Sequence, residues 1–254
     1  MASRQQATDA IAAGRVTVAG APALKPTRMV DASEPLQLAG EPPKYVSRGG
    51  AKLEAALLQW AIDPTGRRAL DAGASTGGFT DCLLKHGCAH VTAIDVGYGQ
   101  LAVALRDHPR VENRERTNVR HLREGDINPA VDLVVGDLSF ISVTRVIDAL
   151  VAVASADAEF VLLVKPQFEA GKQEASRGKG VIRDPQVWGR VIREVVAACE
   201  GAEVGIMGVM ASPIRGPEGN REFLIHGRRG SESSVTGGTI VDVVDATAAE
   251  ELRR

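Results

Sequence analysis

The chain has 254 residues, with 30 Lys+Arg against 32 Asp+Glu and a formal net charge of −2. Its 44% hydrophobic and 24% charged content is that of an ordinary globular protein, neither fibrous nor disordered. At about 100–200 residues per domain, this length suits one full domain with a smaller one beside it.

Three cysteines (Cys82, Cys88, Cys199) are too few for a secreted disulfide framework. No run approaches the ~18 apolar residues of a spanning helix, and no signal peptide is expected, so the cytoplasm is the expected location. The near-neutral total excludes a uniformly basic coat but leaves room for local basic faces. Residues 1–52 hold seven positive side chains against four negative. A second cluster runs from Arg106 to Arg123, and a third from Lys172 to Arg183. Each is either a phosphate-binding face or a solvated surface.

In chain order, Ser3–Ala13 reads as a short helix capped by Ser3 and stopped by Gly14. Val16–Val18 and Leu36–Leu38 read as short strands. The paired prolines of Gly40-Glu41-Pro42-Pro43-Lys44 force extended backbone and mark a linker, placed at 41–46. Next, Leu53, Ala56, Leu57 and Trp60 recur at helical spacing, with Ser47 as the expected N-cap. Strand-like runs follow at Arg68–Ala72, His90–Val96, Val131–Asp137, Glu159–Lys165 and Val204–Met210. Between them lie helical runs at Gly78–Lys85, Gln100–Arg106, Val143–Ala154 and Gln186–Cys199. Asp184-Pro185 opens the last of these and Gly201 stops it. Glu222–Gly227 suits a late strand, and Ile240–Arg254 a short strand or helix. This alternation predicts an α/β protein with a mostly parallel, doubly wound sheet.

After the first of these strands comes Asp71-Ala72-Gly73-Ala74-Ser75-Thr76-Gly77-Gly78-Phe79. Glycines at a strand-to-helix turn bring backbone amides close to a ligand. Asp95 ends the next strand about 20 residues on, where a carboxylate can grip ribose hydroxyls. Gly73, Ser75 and Gly78 break the dinucleotide fingerprint at its second glycine, and no Lys follows Gly78 as in a phosphate loop. A nucleoside cofactor without a pyrophosphate remains, and S-adenosylmethionine is the natural candidate.

Polar residues stand where such a sheet places chemistry: Asp137 and Lys165 end apolar strands, Lys52 follows Gly49-Gly50, and Glu222 opens the late strand. Phe140 and Phe168 follow two of them, suited either to stacking on a flipped-out base or to packing beneath the site. Gly171–Gly180 reads as a lid or a solvated loop. The histidines and cysteines have no zinc spacing, so no metal is expected.

Five segments, Ser47–Leu53, Asp71–Phe79, Asp137–Ser142, Lys165–Glu169 and Asn220–Glu222, together resemble the TlyA family. Its members are described both as haemolysin A and as ribosomal RNA 2′-O-methyltransferases. The resemblance implies a Rossmann-like class I methyltransferase domain of the FtsJ type over 47–230, with 231–254 as a C-terminal extension. It maps a Lys-Asp-Lys-Glu tetrad onto Lys52, Asp137, Lys165 and Glu222, with Lys165 as the candidate base. It places S-adenosylmethionine against Gly73, Ala74, Ser75, Thr76, Gly77, Gly78, Phe79, Asp95, Asn118 and Asp137. Residues 1–40 resemble an S4 RNA-binding domain, through Ser3–Ala7 and Ala13–Val18. The S4 pattern opens with a further helix, so a partial S4-like domain is expected here. Ribosomal RNA or a ribosomal subunit is then the partner, met by Arg4, Arg15, Arg48, Lys172 and Lys179. A membrane-active cytolysin, an RNA-binding protein without catalysis and a small-molecule methyltransferase are the competing readings.

Overall fold

The computed structural model describes residues 4–40, 43–171, 174, 178 and 180–253, excepting the side chains of Arg4, Gln5, Gln6 and Asp9. The Ser3 cap, Glu41 and Pro42 of the linker, most of the lid segment, and Lys172 and Lys179 lie outside the described residues.

Helix α1 (Arg4–Ala12) ends before Gly14, whose φ of +67° turns the chain into β1 (Val16–Val18). Strand β1 pairs antiparallel with both β2 (Ala21–Pro22) and β3 (Leu36–Leu38). Ala10, Val16, Val18 and Ala23 form the small core of this unit.

Helix α2 (Gly49–Gln59) buries Leu53, Ala56 and Leu57, the face its spacing predicts. Ser47 is not its cap. Arg48 holds that position in helical backbone without a side-chain bond. Ser47 instead sets its hydroxyl where a Cβ on Gly78 would have to sit. That glycine lets the 47–50 segment press against the next helix.

The remaining elements are β4 (Arg68–Ala72), α3 (Gly78–Lys85), β5 (His90–Ile94), α4 (Val103–Arg106), β6 (Val111–Arg114) and β7 (Val131–Gly136). After them come α5 (Ile147–Ala152), β8 (Ala154–Val164), α6 (Pro166–Glu169), α7 (Pro185–Gly201), β9 (Val204–Ala211), β10 (Phe223–Arg229) and α8 (Gly237–Leu252). They build a seven-stranded sheet in the order β6-β5-β4-β7-β8-β10-β9. Pairings from β6 to β8 are parallel, while β10 runs antiparallel to both β8 and β9.

The pleat sorts side chains to two faces. Leu133, Val135, Val161, Leu163 and Leu224 join α2 and α3 in one core. Val131, Val134, Phe160, Leu162, Phe223 and Ile225 join α5, α7 and α8 in the other. The α/β expectation therefore holds, with local corrections. The expected helix over Val143–Ala154 splits into a 3₁₀ turn at Val143–Arg145 and α5, and β8 takes Ala154 as its first residue. Helix α4 starts three residues later than expected, at Val103. Helix α7 runs through Gly201, and the reversal falls at Glu203, with φ +61°. The tail is the helix α8, opened by a reciprocal Thr236–Thr239 capping box and packed on the sheet through Ile240 and Val244.

Candidate active site

In a parallel sheet the crevice opens at the carboxyl ends of the strands, where the order reverses, here between β4 and β7. Gly73 follows β4, Asp95 follows β5, Asp137 follows β7 and Lys165 follows β8. Glu222 precedes β10, and because that strand runs antiparallel its start lies at the same edge. Lys52 reaches the edge from the first turn of α2. Four residues spread over 170 positions thus line one cavity of about 250 Å³, together with Arg48, Gly73, Ala74, Ser75, Thr76, Gly78, Phe79 and Ser139.

The tetrad is two ion pairs. Lys52 Nζ donates to Glu222 Oε2 at 2.6 Å, and both side chains are buried. Lys165 Nζ lies 2.6 Å from Asp137 Oδ1 and donates to Ser139 Oγ at 2.9 Å. The tie to Asp137 is one of charge, because Asp137 Oδ1 accepts no aligned hydrogen bond among the described residues. Ser139 is an acceptor for Lys165 that the sequence reading passed over. Its only signal is its place two residues after Asp137.

The glycine turn is shaped for close approach. Gly73 has φ +84°, and a Cβ there would come 3.0 Å from the Asp137 backbone oxygen. Ser75, at the missing glycine of the fingerprint, still adopts left-handed backbone with φ +49°. Its amide donates to Asp95 Oδ2 at 2.8 Å, while Gly97 N donates to Asp95 Oδ1 at 2.7 Å. Asp95 therefore stitches the turn to the end of β5 and keeps lone pairs for a ligand. Gly77 is the exception among the expected contacts. It does not line the cavity but caps α3 at φ +95°, where a Cβ would strike Leu105 and Leu101.

A second cleft of about 1320 Å³ shares Gly73, Ser75, Asp137 and Ser139 with the first, and adds Asp95, Asn118, Arg120, Phe140, Arg145, Gln167 and Phe168. Asn118 accepts from Arg120 N at 3.1 Å, leaving its amide nitrogen available. Gln167 lines this cleft, and its Oε1 is buried with no hydrogen-bond partner among the described residues. This chemistry fits a nucleoside cofactor: a backbone cradle, a carboxylate just past the end of the neighbouring strand and unsatisfied polar atoms in the cleft wall.

Beneath the turn, Asp71 is fully buried and accepts from Thr80 Oγ1 at 2.7 Å. Burial pushes its carboxyl up to about 7, with Asp137 and Asp95 adding to the rise. Glu169 is also raised by burial, though Ser142 Oγ and Val143 N both donate to it and tie α6 to the loop after Asp137.

Phe140 stands at the mouth with φ +64° and 90% exposure, its ring centroid 5.0 Å from that of Phe168. Of the two roles open to it, packing beneath the site is removed. Arg48, Arg120 and Arg145 are exposed along the two cavities. Arg15 lies in the small unit and lines neither. The Arg4 side chain lies outside the described residues.

Sheet order and site define a Rossmann-like methyltransferase of class I. A family profile described as FtsJ-like methyltransferase matches residues 45–229, and the chain belongs to that family. It is 47% identical over 249 residues to the 16S/23S rRNA (cytidine-2′-O)-methyltransferase TlyA of Mycobacterium tuberculosis, covering 98% of this chain and 92% of that one. It is 36% identical to Hemolysin A of Brachyspira hyodysenteriae, over 88% of this chain and 93% of that one. Among solved structures, a candidate hemolysin from Streptococcus thermophilus superposes with a TM-score of 0.83 at 36% identity, over 100% of this chain and 92% of that one.

Proposed function

We propose that this chain transfers a methyl group from S-adenosylmethionine to a ribose 2′-hydroxyl of ribosomal RNA, cytidine being the base its relatives' names specify. The observation that carries the reading is the convergence of two lysine–carboxylate pairs, Lys52–Glu222 buried and Lys165–Asp137 half-buried at its carboxylate, on the cavity beside the glycine turn. When bound, the cofactor supplies an electrophilic methyl on a sulfonium sulfur.

A ribose hydroxyl is a weak nucleophile and must lose its proton as it attacks. Lys165 Nζ, paired as an ammonium with Asp137 at rest, first releases a proton to solvent, and the amine so formed takes the proton of the 2′-hydroxyl. Asp137 and Ser139 hold Nζ in place, and Asp137 compensates the ammonium that forms. Glu222 fixes Lys52, whose ammonium lines the same chamber and orients the ribose oxygen. Gly73, Ala74, Ser75, Thr76, Gly78, Phe79, Asp95, Asn118 and Asp137 would hold the cofactor, with Asp95 as the carboxylate that would accept from its ribose hydroxyls. Phe140, with Phe168 behind it, is the platform on which the flipped-out base stacks. Arg48 at the cavity, and Arg15 in an S4-like RNA-binding unit over residues 1–40, meet phosphates. Such an enzyme works where ribosomes are, in the cytoplasm.

No helix among the described residues is long and apolar enough to cross a membrane. Lysis does not require the chamber of two lysines and two carboxylates, and methyl transfer accounts for it. The test is to map ribose methylation in ribosomal RNA exposed to the purified protein and S-adenosylmethionine. A new 2′-O-methyl mark, lost in Lys165→Ala while cofactor still binds, is expected. No mark with the wild-type protein, or full turnover with the variant, overturns the reading.

A further inference from the structure

Residues 220–222 run into β10, and the pleat sends neighbouring side chains to opposite faces. Glu222 and Leu224 face α2, where Glu222 meets Lys52. Arg221 and Phe223 face α7 and α8. Arg221 is only 5% exposed, and a guanidinium so buried requires charged partners. It finds them in the last turn of α8: Nε donates to Glu251 Oε1, and Nη2 donates to Glu250 Oε2 at 3.2 Å. Arg215, earlier in the same β9–β10 loop, donates from Nη2 to both oxygens of Glu251 at 2.8 and 2.7 Å. Glu251 therefore collects both arginines of one loop. Arg215 Nε is buried without a partner, so Glu251 alone orients that guanidinium among the described residues.

The loop these arginines anchor is also the one that wraps the Glu222 carboxylate. Ser212 N donates to Glu222 O at 2.8 Å, and Gly216 N donates to Asn220 O at 3.0 Å. A Cβ on Gly216 would fall 2.7 Å from Glu222 Oε1, so the loop backbone lies directly over the carboxylate. A shift of this loop moves Glu222, and with it the Lys52 ammonium.

We propose that Glu251, acting through Arg221 and Arg215, is a positioning residue for Glu222, so that the last turn of α8 sets the geometry of the chamber on the opposite face of the sheet. The proposal rests on the methyl-transfer reading for its kinetic consequence, and on geometry alone for its effect on Lys52.

The test compares full-length wild type with Glu251→Gln and Glu251→Ala, using Asp245→Asn on the exposed side of α8 as the control. Five quantities are measured on folded protein: methyl-transfer kcat and KM on ribosomal RNA, S-adenosylmethionine affinity, melting temperature, and acylation of Lys52 by an amine-reactive reagent relative to exposed Lys25. Expected is a fall in kcat of about tenfold for Glu251→Gln and more for Glu251→Ala, with KM and cofactor affinity within about twofold. Lys52 acylation rises in both variants and stays unchanged in Asp245→Asn. A lower melting temperature with kcat and Lys52 acylation unchanged shows a merely structural role and overturns the proposal, as does lost activity without a change at Lys52. If Glu251→Ala does not fold, Glu251→Gln decides the matter. If wild type transfers no methyl to RNA, the functional reading fails, while Lys52 acylation still decides the positioning role.

Discussion

Lys52 and Glu222 lie 2.6 Å apart, Nζ to Oε2, across 170 positions of sequence, and neither side chain has more than 8% of its surface exposed. Two charges so placed cost desolvation and return it only as a pair. Glu222→Ala leaves an unpaired buried ammonium, so a loss of about 3–5 kcal/mol in unfolding free energy is expected, along with loss of methyl transfer. The double variant Lys52→Met, Glu222→Leu replaces the pair with apolar groups of similar size. It should regain most of that stability and none of the activity. Urea denaturation beside a methylation assay checks this. A double variant as unstable as the single one contradicts the argument.

Gly73 makes a sharper case for the glycine turn than composition does. At φ +84°, and with the Asp137 backbone oxygen 3.0 Å from where a Cβ would sit, alanine is both strained and crowded. Its Leu138 neighbour is a flexible side chain, but the Asp137 oxygen is backbone and cannot turn aside. Gly73→Ala is expected to weaken S-adenosylmethionine binding by at least about tenfold, with a stability loss of about 1–3 kcal/mol. Calorimetric titration gives the first number and thermal melting the second. Unchanged cofactor affinity would remove the turn from the binding site.

Much of this arrangement is legible in the sequence. The runs at Arg68–Ala72 and Gly78–Lys85 coincide with β4 and α3, because strand and helix periods are clean there and a glycine turn separates them. Asp137, Lys165 and Glu222 stood out as polar residues at the ends of apolar strands. Strand β6 (Val111–Arg114) was invisible: at the sheet edge all four residues are half-buried, so Val-Glu-Asn-Arg shows no alternation. Helix α8 was ambiguous because its first half, with Thr239, Ile240, Val241, Val243 and Val244, is rich in β-branched residues. Tertiary packing and the Thr236 cap decide for helix. Ser139 under Lys165, and Glu251 behind Arg221, depend on which strand ends meet, and no local pattern records that.

Phe140 combines strained backbone with a solvent-facing ring, a combination that packing does not explain. If the ring is the base platform, Phe140→Ala should leave the melting temperature nearly unchanged, since little apolar surface is lost from the core. RNA methylation should fall by about 1–3 kcal/mol in kcat/KM, the usual worth of one base–aromatic stack. Phe140→Leu, apolar but without a π-face, should recover little. Equal activity for Phe and Leu at this position would argue for simple apolar contact.

Two buried carboxyls give the stability profile opposite slopes. The side chains of His226, Arg67 and Arg228 hold Glu159 down at about 2, against an ordinary 4.5. Its folded value lies below its unfolded one, so its contribution is complete above pH about 4.5 and is lost as pH falls toward 2. Burial holds Asp71 up at about 7, against an ordinary 3.8. The native state therefore binds more protons than the unfolded chain between those values. Stability from Asp71 is complete below pH about 3.8, drains away as pH rises to about 7, and is flat beyond. Each pKa unit corresponds to ~1.4 kcal/mol, so both slopes are measurable. In urea denaturation from pH 2 to 9, Asp71→Asn should gain on wild type between pH about 4 and 7. Glu159→Gln should lose ground between pH about 2 and 4.5. If either variant runs parallel to wild type across its window, the carboxyl it replaces does not titrate as its surroundings dictate. For Asp71 that result would mean water or a cation reaches the floor of the cofactor turn.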